Sequence, residues 1–363
     1  MKVKLKNIGK IITGNTPSKQ TEEYWDTDDI CFVKPDAISE DGITTISKTT
    51  EFLSERARSK ARIVGKNSIL VTCIGSIGKI GLVESGEYAF NQQINAIIPN
   101  GKIHPKYLAY ALLYLKPQLT AIANAPVVPI INKSQFGEFE ITITEDNHKQ
   151  IEVALALDMS AEIIQKKKDE LNVLDNLIKA RFVELFGNTD HPKWAAESFE
   201  SRIYFQEGPG VRKWQFRNDG IKLINIKNVV NDKLDLSNTG KYLSVDEVNE
   251  KYTHFLLNAG DYVMASSGVT WGKIAEVNES HLPLCLNTSM IRLVPKEGII
   301  KQYLFYFIKS DFFRNQIDRL ITGSAQPNFG PSHLMKVVIP VPPIGVQEQF
   351  AKEVQQIDKS KLM

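Results

Sequence analysis

The sequence predicts an α+β protein in which a long amphipathic helix separates two β-rich copies of one module and a shorter helix follows the second copy. Three observations predict this: a length of 363 residues, an internal duplication, and a long segment with heptad-spaced apolar residues. The composition, 42% hydrophobic and 24% charged, is that of a globular protein.

Charge and cysteine content exclude several classes of protein. Lys and Arg number 44 against 42 Asp and Glu, so nucleic-acid binding would have to use local basic patches. Cys31, Cys73 and Cys285 are far apart and form no C-x-x-C pair, which argues against a disulfide framework or a zinc ribbon. Without a signal-like start or a long apolar run, we expect a cytoplasmic protein that does not enter a membrane.

The duplication is visible when the sequence is shifted by 196 residues against itself. Residues 91–110 and 287–306 then share six identities in twenty positions, whereas unrelated sequences give about one. Asn132 meets Asn328 at the same offset. Upstream, residues 76–80 align with 270–274 and 52–54 with 242–244, at offsets of 194 and 190. This drift predicts small loop insertions between two otherwise equivalent modules.

Each module is predicted to be mainly strand, with one recurrent helix. Residues 68–74 and 261–266 are short apolar β-prone runs that end in Gly or Ser, and 139–143 alternates as a closing strand does. Residues 105–115 carry apolar side chains at helical spacing behind a proline, and 300–309 repeat the pattern.

The segment between the modules is predicted to be one helix of about 40 residues. No Gly or Pro occurs from residue 147 to 186, and Gly187 is a suitable helix terminator. Its apolar seam is formed at heptad spacing by Leu157, Ile164, Leu171, Ile178 and Leu185. A second helix follows Pro342-Pro343, and its apolar face carries Val346, Phe350, Val354 and Ile357.

These elements define four segments of the chain. Residues 1–146 form the first module, 147–187 the central helix, 188–343 the second module and 344–363 the distal helix. The distal helix, with about 18 residues, is less than half as long as the central one.

The sequence lacks the common catalytic motifs. Gly78-Lys79 and Gly272-Lys273 are each followed by Ile and lack the first glycine of a phosphate-binding loop. No lysine has Asp or Glu two residues before it, as common metal-dependent nucleases require, and no glycine-rich cofactor loop or N/D-P-P-aromatic clamp of an amino-methyltransferase is found. The six histidines match no metal or triad motif. We expect neither catalytic nor metal-ligating residues in this chain.

The glycine-flanked loops favour a binding function. In the first module, residues 75–79 (GSIGK) follow an apolar strand, so that backbone N–H groups and an ammonium group could meet a phosphate. The second module has a related loop at residues 266–273. The alternative for either loop is a hairpin with a solvated lysine, but recurrence in both copies favours binding.

Uncharged donor and acceptor side chains form a second pair of candidates. Residues 91–93 (NQQ) recur as 287–289 (NTS), and amides can pair bidentately with adenine in the major groove. Capping or turn formation is the alternative. The complete set of predicted DNA-binding residues is Thr16, Lys34, Ser76, Lys79, Asn91, Gln92, Gln93, Lys133, Arg212, Lys213, Lys227, Ser267, Thr270, Trp271, Lys273, Asn287, Thr288 and Asn328.

Besides the duplication and the two helices, five segments of the sequence are distinctive: 14–18 (GNTPS), 75–79 (GSIGK), 131–134 (INKS), 174–187 (LDNLIKARFVELFG) and 342–349 (PPIGVQEQ). In these features the whole chain resembles the specificity subunits of Type I restriction-modification systems. The resemblance implies two target recognition domains that read the two halves of a split DNA sequence, with the helices forming an antiparallel coiled coil between them.

The resemblance also implies the partners and their cofactors. Double-stranded DNA would be bound by this chain, whereas two methyltransferase subunits would supply S-adenosylmethionine and methylate adenine. Restriction subunits, where present, would add ATP- and magnesium-dependent translocation and cleavage. The expected partner interface consists of Leu157, Ile164, Leu171, Ile178, Leu185, Phe350, Val354 and Ile357.

The sequence departs from the family pattern in two places. Residues 144–147 (TEDN) stand where a double proline is usual, and the distal helix is truncated relative to the central one. We therefore expect a methyltransferase helix or a second copy of this chain to cover the rest of the apolar seam. The alternatives are a coiled-coil scaffold that does not read DNA, a truncated, assembly-defective specificity allele, and a stand-alone methyltransferase or nuclease.

Overall fold

The computed structural model describes residues 1–123, 128–237, 239–321 and 327–362. Met363, the last residue of the predicted distal helix, lies outside this range. The chain forms two compact units, Met1–Lys168 and Asp169–Met363, and the boundary falls within one continuous helix.

The first unit is α+β. Its strands are β1 (Lys2–Lys4), β2 (Gly9–Thr13), β3 (Ile30–Val33), β4 (Ile43–Thr45), β5 (Glu51–Leu53), β6 (Ile63–Val64), β7 (Ile69–Thr72), β8 (Ile80–Leu82), β9 (Tyr88–Phe90), β10 (Ile94–Pro99) and β11 (Glu140–Thr142). Its helices are α1 (Leu5–Ile8), α2 (Pro105–Tyr114), α3 (Lys116–Ala121), α4 (Lys133–Glu138) and the first part of α5 (Asn147–Phe186). Short 3-10 turns occur at Glu22–Tyr24, Pro35–Ala37 and Glu55–Lys60.

Two larger sheets form the first unit. One has the strand order β2-β10-β7-β8-β4 and the other β5-β3-β9-β6, while β1 pairs with β11. Apolar side chains of β7, β8 and β10 pack against α2, and Leu108 and Leu112 of that helix are fully buried there. The apolar side chains of the predicted strands and those of the predicted helix thus pack together in one core.

The second unit has a related set of elements. Its strands are β12 (Ala196–Ser198), β13 (Ile203–Glu207), β14 (Ile221–Leu223), β15 (Val229–Val230), β16 (Lys233–Leu234), β17 (Tyr242–Leu243), β18 (Tyr262–Ala265), β19 (Ile274–Glu276), β20 (Leu284–Cys285), β21 (Met290–Pro295) and β22 (Val338–Pro340). Its helices are the rest of α5, α6 (Phe199–Arg202), α7 (Val245–Glu247), α8 (Lys301–Lys309), α9 (Asp311–Leu320), α10 (Pro331–Leu334) and α11 (Ile344–Lys361). A π-helical turn spans Val248–Tyr252, and 3-10 turns occur at Lys213–Gln215, Ile226–Asn228, Thr253–Phe255 and Glu279–His281.

The two units share one topology. The order β13-β21-β18-β19 repeats β2-β10-β7-β8, and β17-β14-β20 repeats β5-β3-β9, including the parallel pairing of the last two strands. Strands β10 and β21 lie 196 residues apart, the offset that the sequence predicts. The duplication is therefore present in the fold as well as in the sequence.

One predicted equivalence, that of Asn132 with Asn328, is wrong. Asn328 forms a bridge to Ser267, as Ile130 does to Ile74, so Asn328 corresponds to Ile130. Asn132 instead caps α4, and its side chain accepts a hydrogen bond from the Gln135 backbone N–H. The offset has grown to 198 at this point because the second module is two residues longer between the preceding helix and the last strand.

Helix α5 has the predicted bounds and a seam that is buried only in part. Leu157, Ile164 and Leu171 are 39%, 57% and 39% exposed, whereas Ile178 is 2% exposed. Leu185 packs partly buried against the core of the second unit. Gly187 follows the helix with a φ of 83°, in the left-handed region that favours glycine.

Helix α11 packs antiparallel to the last part of α5 within the second unit. Arg181 donates two hydrogen bonds to the Glu353 carboxylate, from Nε at 2.6 Å and from Nη2 at 2.9 Å. The Phe350 ring lies 5.6 Å from that of Phe182, and Val354 is buried beside it. Ile357 is partly buried against the same cluster. The predicted antiparallel pairing is thus confirmed for this part of the helix.

Within the part of the chain that the structure describes, no helix has both the length and the apolarity to cross a membrane.

Candidate nucleic-acid interface

The candidate site of the first unit lies at one end of its large sheet, where β2 and β7 end and β8 and β10 begin. We call this the loop end of the unit. Gly14 follows β2 and packs so closely on the next loop that a Cβ would lie 2.1 Å from the Asn91 carbonyl oxygen. Thr16 then donates a hydrogen bond to the Gln92 side chain at 2.7 Å, which links two predicted DNA-binding residues. Only glycine permits this close approach of the two loops.

The GSIGK loop is a tight hairpin between β7 and β8. Gly75 and Gly78 have φ values of 77° and 80°, so both use the left-handed region. The Gly75 N–H donates to the Pro129 carbonyl oxygen, and Cys73 N–H donates to that of Gln93. These bonds bring the hairpin, the 91–93 loop and the segment before α4 together, with Ser76 exposed at the tip.

Lys79 and Lys34 are held by carboxylates rather than extended into solvent. The Lys79 side chain, 13% exposed, lies 3.1 Å from Glu40, and its hydrogen bond is the main reason that the pKa of Glu40 is lowered. Lys34 pairs with Glu51 at 2.5 Å and likewise lowers the pKa of that carboxyl. A phosphate contact by either ammonium would have to compete with these ion pairs.

The second unit repeats the loop end with other side chains. A Cβ on Gly208 would lie 2.4 Å from the main chain of Asn287, as Gly14 approaches Asn91. Gly268 and Gly272 have φ values of 78° and 81°, and the Gly268 N–H donates to Pro327. The bridge between Ser267 and Asn328 lies beside them. The two loop ends therefore share one backbone arrangement but present different functional groups.

The remaining predicted residues fall into two groups. Lys273 is exposed, and it has no ion pair in the described ranges. Other exposed positions are Gln92, Lys133, Arg212, Lys213, Lys227, Thr288 and Asn328. Asn91 is buried, and Gln93, Ser267, Thr270 and Asn287 are half-buried.

Trp271 is a core residue. It is 6% exposed, its ring lies edge-on to Phe329 at 5.5 Å, and the Arg314 guanidinium lies 4.7 Å from its centroid. A base contact by this indole would require it to leave the core, so its backbone position rather than its ring shapes the loop.

Sequence reasoning missed two residues at these sites. Asn15 ties the segment after β2 to another part of the unit, donating to the Lys60 carbonyl oxygen and accepting from the Arg62 N–H. Glu207, at the end of β13, lies at the second loop end. A polar residue beside a close-packed glycine is the signal that could have found both.

In the described residues, His, Cys, Asp and Glu form no group of three or more that could hold a metal ion. The chemistry available at both loop ends is hydrogen bonding by amides, hydroxyls and backbone groups, with some basic side chains and, in the second unit, the Glu207 carboxylate. This is the chemistry with which proteins contact phosphates and base edges.

The fold and its two loop ends define a class of protein in which a recognition module occurs twice and each copy is followed by a helix. A family model described as the Type I restriction modification DNA specificity domain matches residues 1–173 and 206–363. The chain belongs to this family of Type I restriction-modification specificity subunits, which are non-catalytic DNA-recognition subunits. The resemblance predicted from the sequence is confirmed.

Individual relatives and a solved structure agree. The Type I restriction enzyme MjaVIII specificity subunit of Methanocaldococcus jannaschii is 25% identical over 341 residues, which cover 85% of this chain and 78% of the relative. The MjaIX specificity subunit of the same organism is 24% identical over 382 residues, covering 98% and 85%. A crystal structure of the Type I restriction-modification S subunit from M. genitalium matches the fold with a TM-score of 0.55 at 16% identity, covering 99% of this chain and 90% of that one.

Proposed function

We propose that this chain reads a bipartite DNA target, with one half-site contacted by the loop end of each unit. The observation that carries this proposal is that the loop-end backbone occurs twice while its side chains differ. Gln92 of the first unit, for example, is replaced by Thr288 in the second. Two copies of one backbone with different hydrogen-bonding groups suit two different base sequences.

The partners and cofactors that we propose are those implied by the family. Two methyltransferase subunits would bind S-adenosylmethionine and methylate adenine in the target, and restriction subunits, where present, would use ATP and magnesium. This chain would bind none of these cofactors. It would determine the DNA sequence at which the partner subunits act. The setting of this assembly would be the cytoplasm.

The exposed part of the α5 seam is the proposed contact for a further helix. Leu157, Ile164 and Leu171 share one face of the helix because they are seven residues apart, and all three are exposed. Further along, Ile178 on the same face is already buried by the second unit. A methyltransferase helix or a helix of a second copy would continue this packing.

The proposal is tested by mapping methylated adenines in cells that express this chain together with its cognate methyltransferase subunit. Cells that contain only the methyltransferase are the control. A two-part motif that appears only with the chain supports the proposal. If the chain is stable and bound to the methyltransferase but no motif appears, the proposal fails in favour of a scaffold or an assembly-defective allele.

A further inference from the structure

Glu207 lies at the loop end of the second unit, on an edge strand of its sheet. It is the last residue of β13 and pairs with Ile291 of β21. On one side is Gly208, which packs on Asn287, and on the other is Gly330, where a Cβ would lie 3.4 Å from Glu207 Oε2. The carboxylate thus lies beside the start of α10, and the residue after Glu207 packs on the 287–289 loop.

This carboxylate has neither a hydrogen bond nor an ion pair in the described ranges. It is nevertheless half-buried, and desolvation raises its pKa. Other half-buried carboxylates of the chain are compensated: Glu353 by Arg181 and Glu51 by Lys34. Because a partly desolvated charge without a donor is unfavourable, a donor supplied by a ligand would form a strong hydrogen bond here.

The fold itself does not require a carboxylate at this place. Thr13 occupies the corresponding end of β2 in the first unit, and its hydroxyl donates to Asn95 Oδ1 at 2.6 Å. The first unit thus satisfies its polar group internally, whereas the second leaves an acceptor open. This difference is of the kind that distinguishes two recognition surfaces on one scaffold.

We propose that Glu207 is a specificity-determining residue of the second unit, whose carboxylate accepts a hydrogen bond from the exocyclic amino group of a base in the major groove. Cytosine N4 is the usual partner of a carboxylate, and adenine N6 offers the same donor chemistry. A negative charge repels phosphates, so Glu207 would favour one base without strengthening non-specific binding. This inference rests on the proposed DNA-reading function.

The test uses the full chain with its cognate methyltransferase and the E207Q variant, which keeps the size of the side chain and removes its charge. Binding is measured on duplexes in which each base pair of the second half-site is changed in turn. We expect wild type to discriminate at one C or A position and E207Q to lose on the order of tenfold of that discrimination. Preference in the first half-site should not change.

The matched control is E279Q, which changes an exposed carboxylate beyond the far end of the same sheet. This variant should retain the base preferences of wild type in both half-sites. Unchanged discrimination in E207Q, or an equal loss of affinity on every sequence, would overturn the role of Glu207. The base at the affected position, C or A, identifies the amino group. A wild-type chain without any sequence preference would instead overturn the proposed function itself.

Discussion

Lys79 and Lys273 follow the second glycine of equivalent hairpins but have different surroundings. Lys79 is nearly buried and paired with Glu40, whereas Lys273 is exposed. One sequence pattern has therefore produced a structural lysine in one unit and an available cation in the other. The role of the lysine in this motif therefore depends on whether a carboxylate lies beside it.

We expect K273A to weaken DNA binding by a similar factor on all sequences and to reduce the slope of log affinity against log salt by about one. The physical reason is the loss of one phosphate contact and its released counterion. Equilibrium binding between low and moderate salt measures the slope. K251A, an exposed lysine outside the loop end, is the control. An unaltered salt slope in K273A would show that Lys273 does not contact a phosphate.

The raised pKa of Glu207 gives a second prediction, on stability. A carboxyl whose pKa is raised by folding binds its proton more tightly in the native state, so the stability of the protein falls as the pH rises through the interval between the unfolded and folded pKa values. E207Q removes this loss. In thermal unfolding from pH 4 to pH 8, the stability of the variant relative to wild type should increase as the pH rises and then stay constant. A constant difference at every pH would contradict a raised pKa.

At the scale of elements, one buried glutamine joins each module to the helix that follows it. Gln150, in the first turn of α5, accepts from the His104 N–H at 2.7 Å and donates to the Thr144 carbonyl oxygen. Gln347 of α11 accepts from the Ile300 N–H at 3.0 Å and donates to Pro342. Both glutamines are fully buried. The same junction therefore forms with and without the double proline.

Replacing Gln347 by Ala should destabilise the second unit by about 1–3 kcal/mol, because the Ile300 N–H and two carbonyl oxygens lose their partner while remaining wholly or partly buried. Urea unfolding monitored by tryptophan fluorescence measures the change. Q355A, an exposed glutamine on the same helix, should change stability by less than about 0.5 kcal/mol. Equal effects of the two substitutions would show that the junction bond is not important.

The helices were more predictable than the strand pairings. The bounds of α5 follow from the absence of Gly and Pro and from Gly187, since helical periodicity is a local property. The parallel pairing of β3 with β9 joins residues more than fifty positions apart, and no local pattern specifies it. The predicted match of Asn132 with Asn328 failed for a related reason: two inserted residues shift the alignment, and only the strand contacts reveal it.

The candidate site was predictable in residue type but not in accessibility. The glycines of both hairpins were found because a tight turn needs them. The burial of Trp271 and the Glu40 partner of Lys79 could not be found, because both depend on tertiary contacts with distant segments.

At the scale of the whole molecule, the exposed α5 seam predicts association. Ile164 and Ile163 are 57% and 60% exposed, but only Ile164 shares the heptad face with Leu157, since adjacent residues point about 100° apart. We expect wild type to self-associate with rising concentration in sedimentation velocity, I164Q to do so less, and I163Q to behave as wild type. Addition of the methyltransferase subunit should compete with self-association if it covers the same face. A wild-type chain that stays monomeric over the whole concentration range would contradict this prediction.

The two buried glutamines also mark where one protein could be joined to another. Each buried glutamine links its module to the first turn of the following helix, and further contacts, such as Tyr110 with Asp158 and Phe350 with the core of the second unit, follow within about three turns. A chimaera cut beyond these contacts would keep the junction of its donor and the rest of the helix of its host. Recognition modules could then be exchanged between proteins of this kind. A new DNA specificity would be obtained by grafting a module rather than by redesigning a binding surface residue by residue.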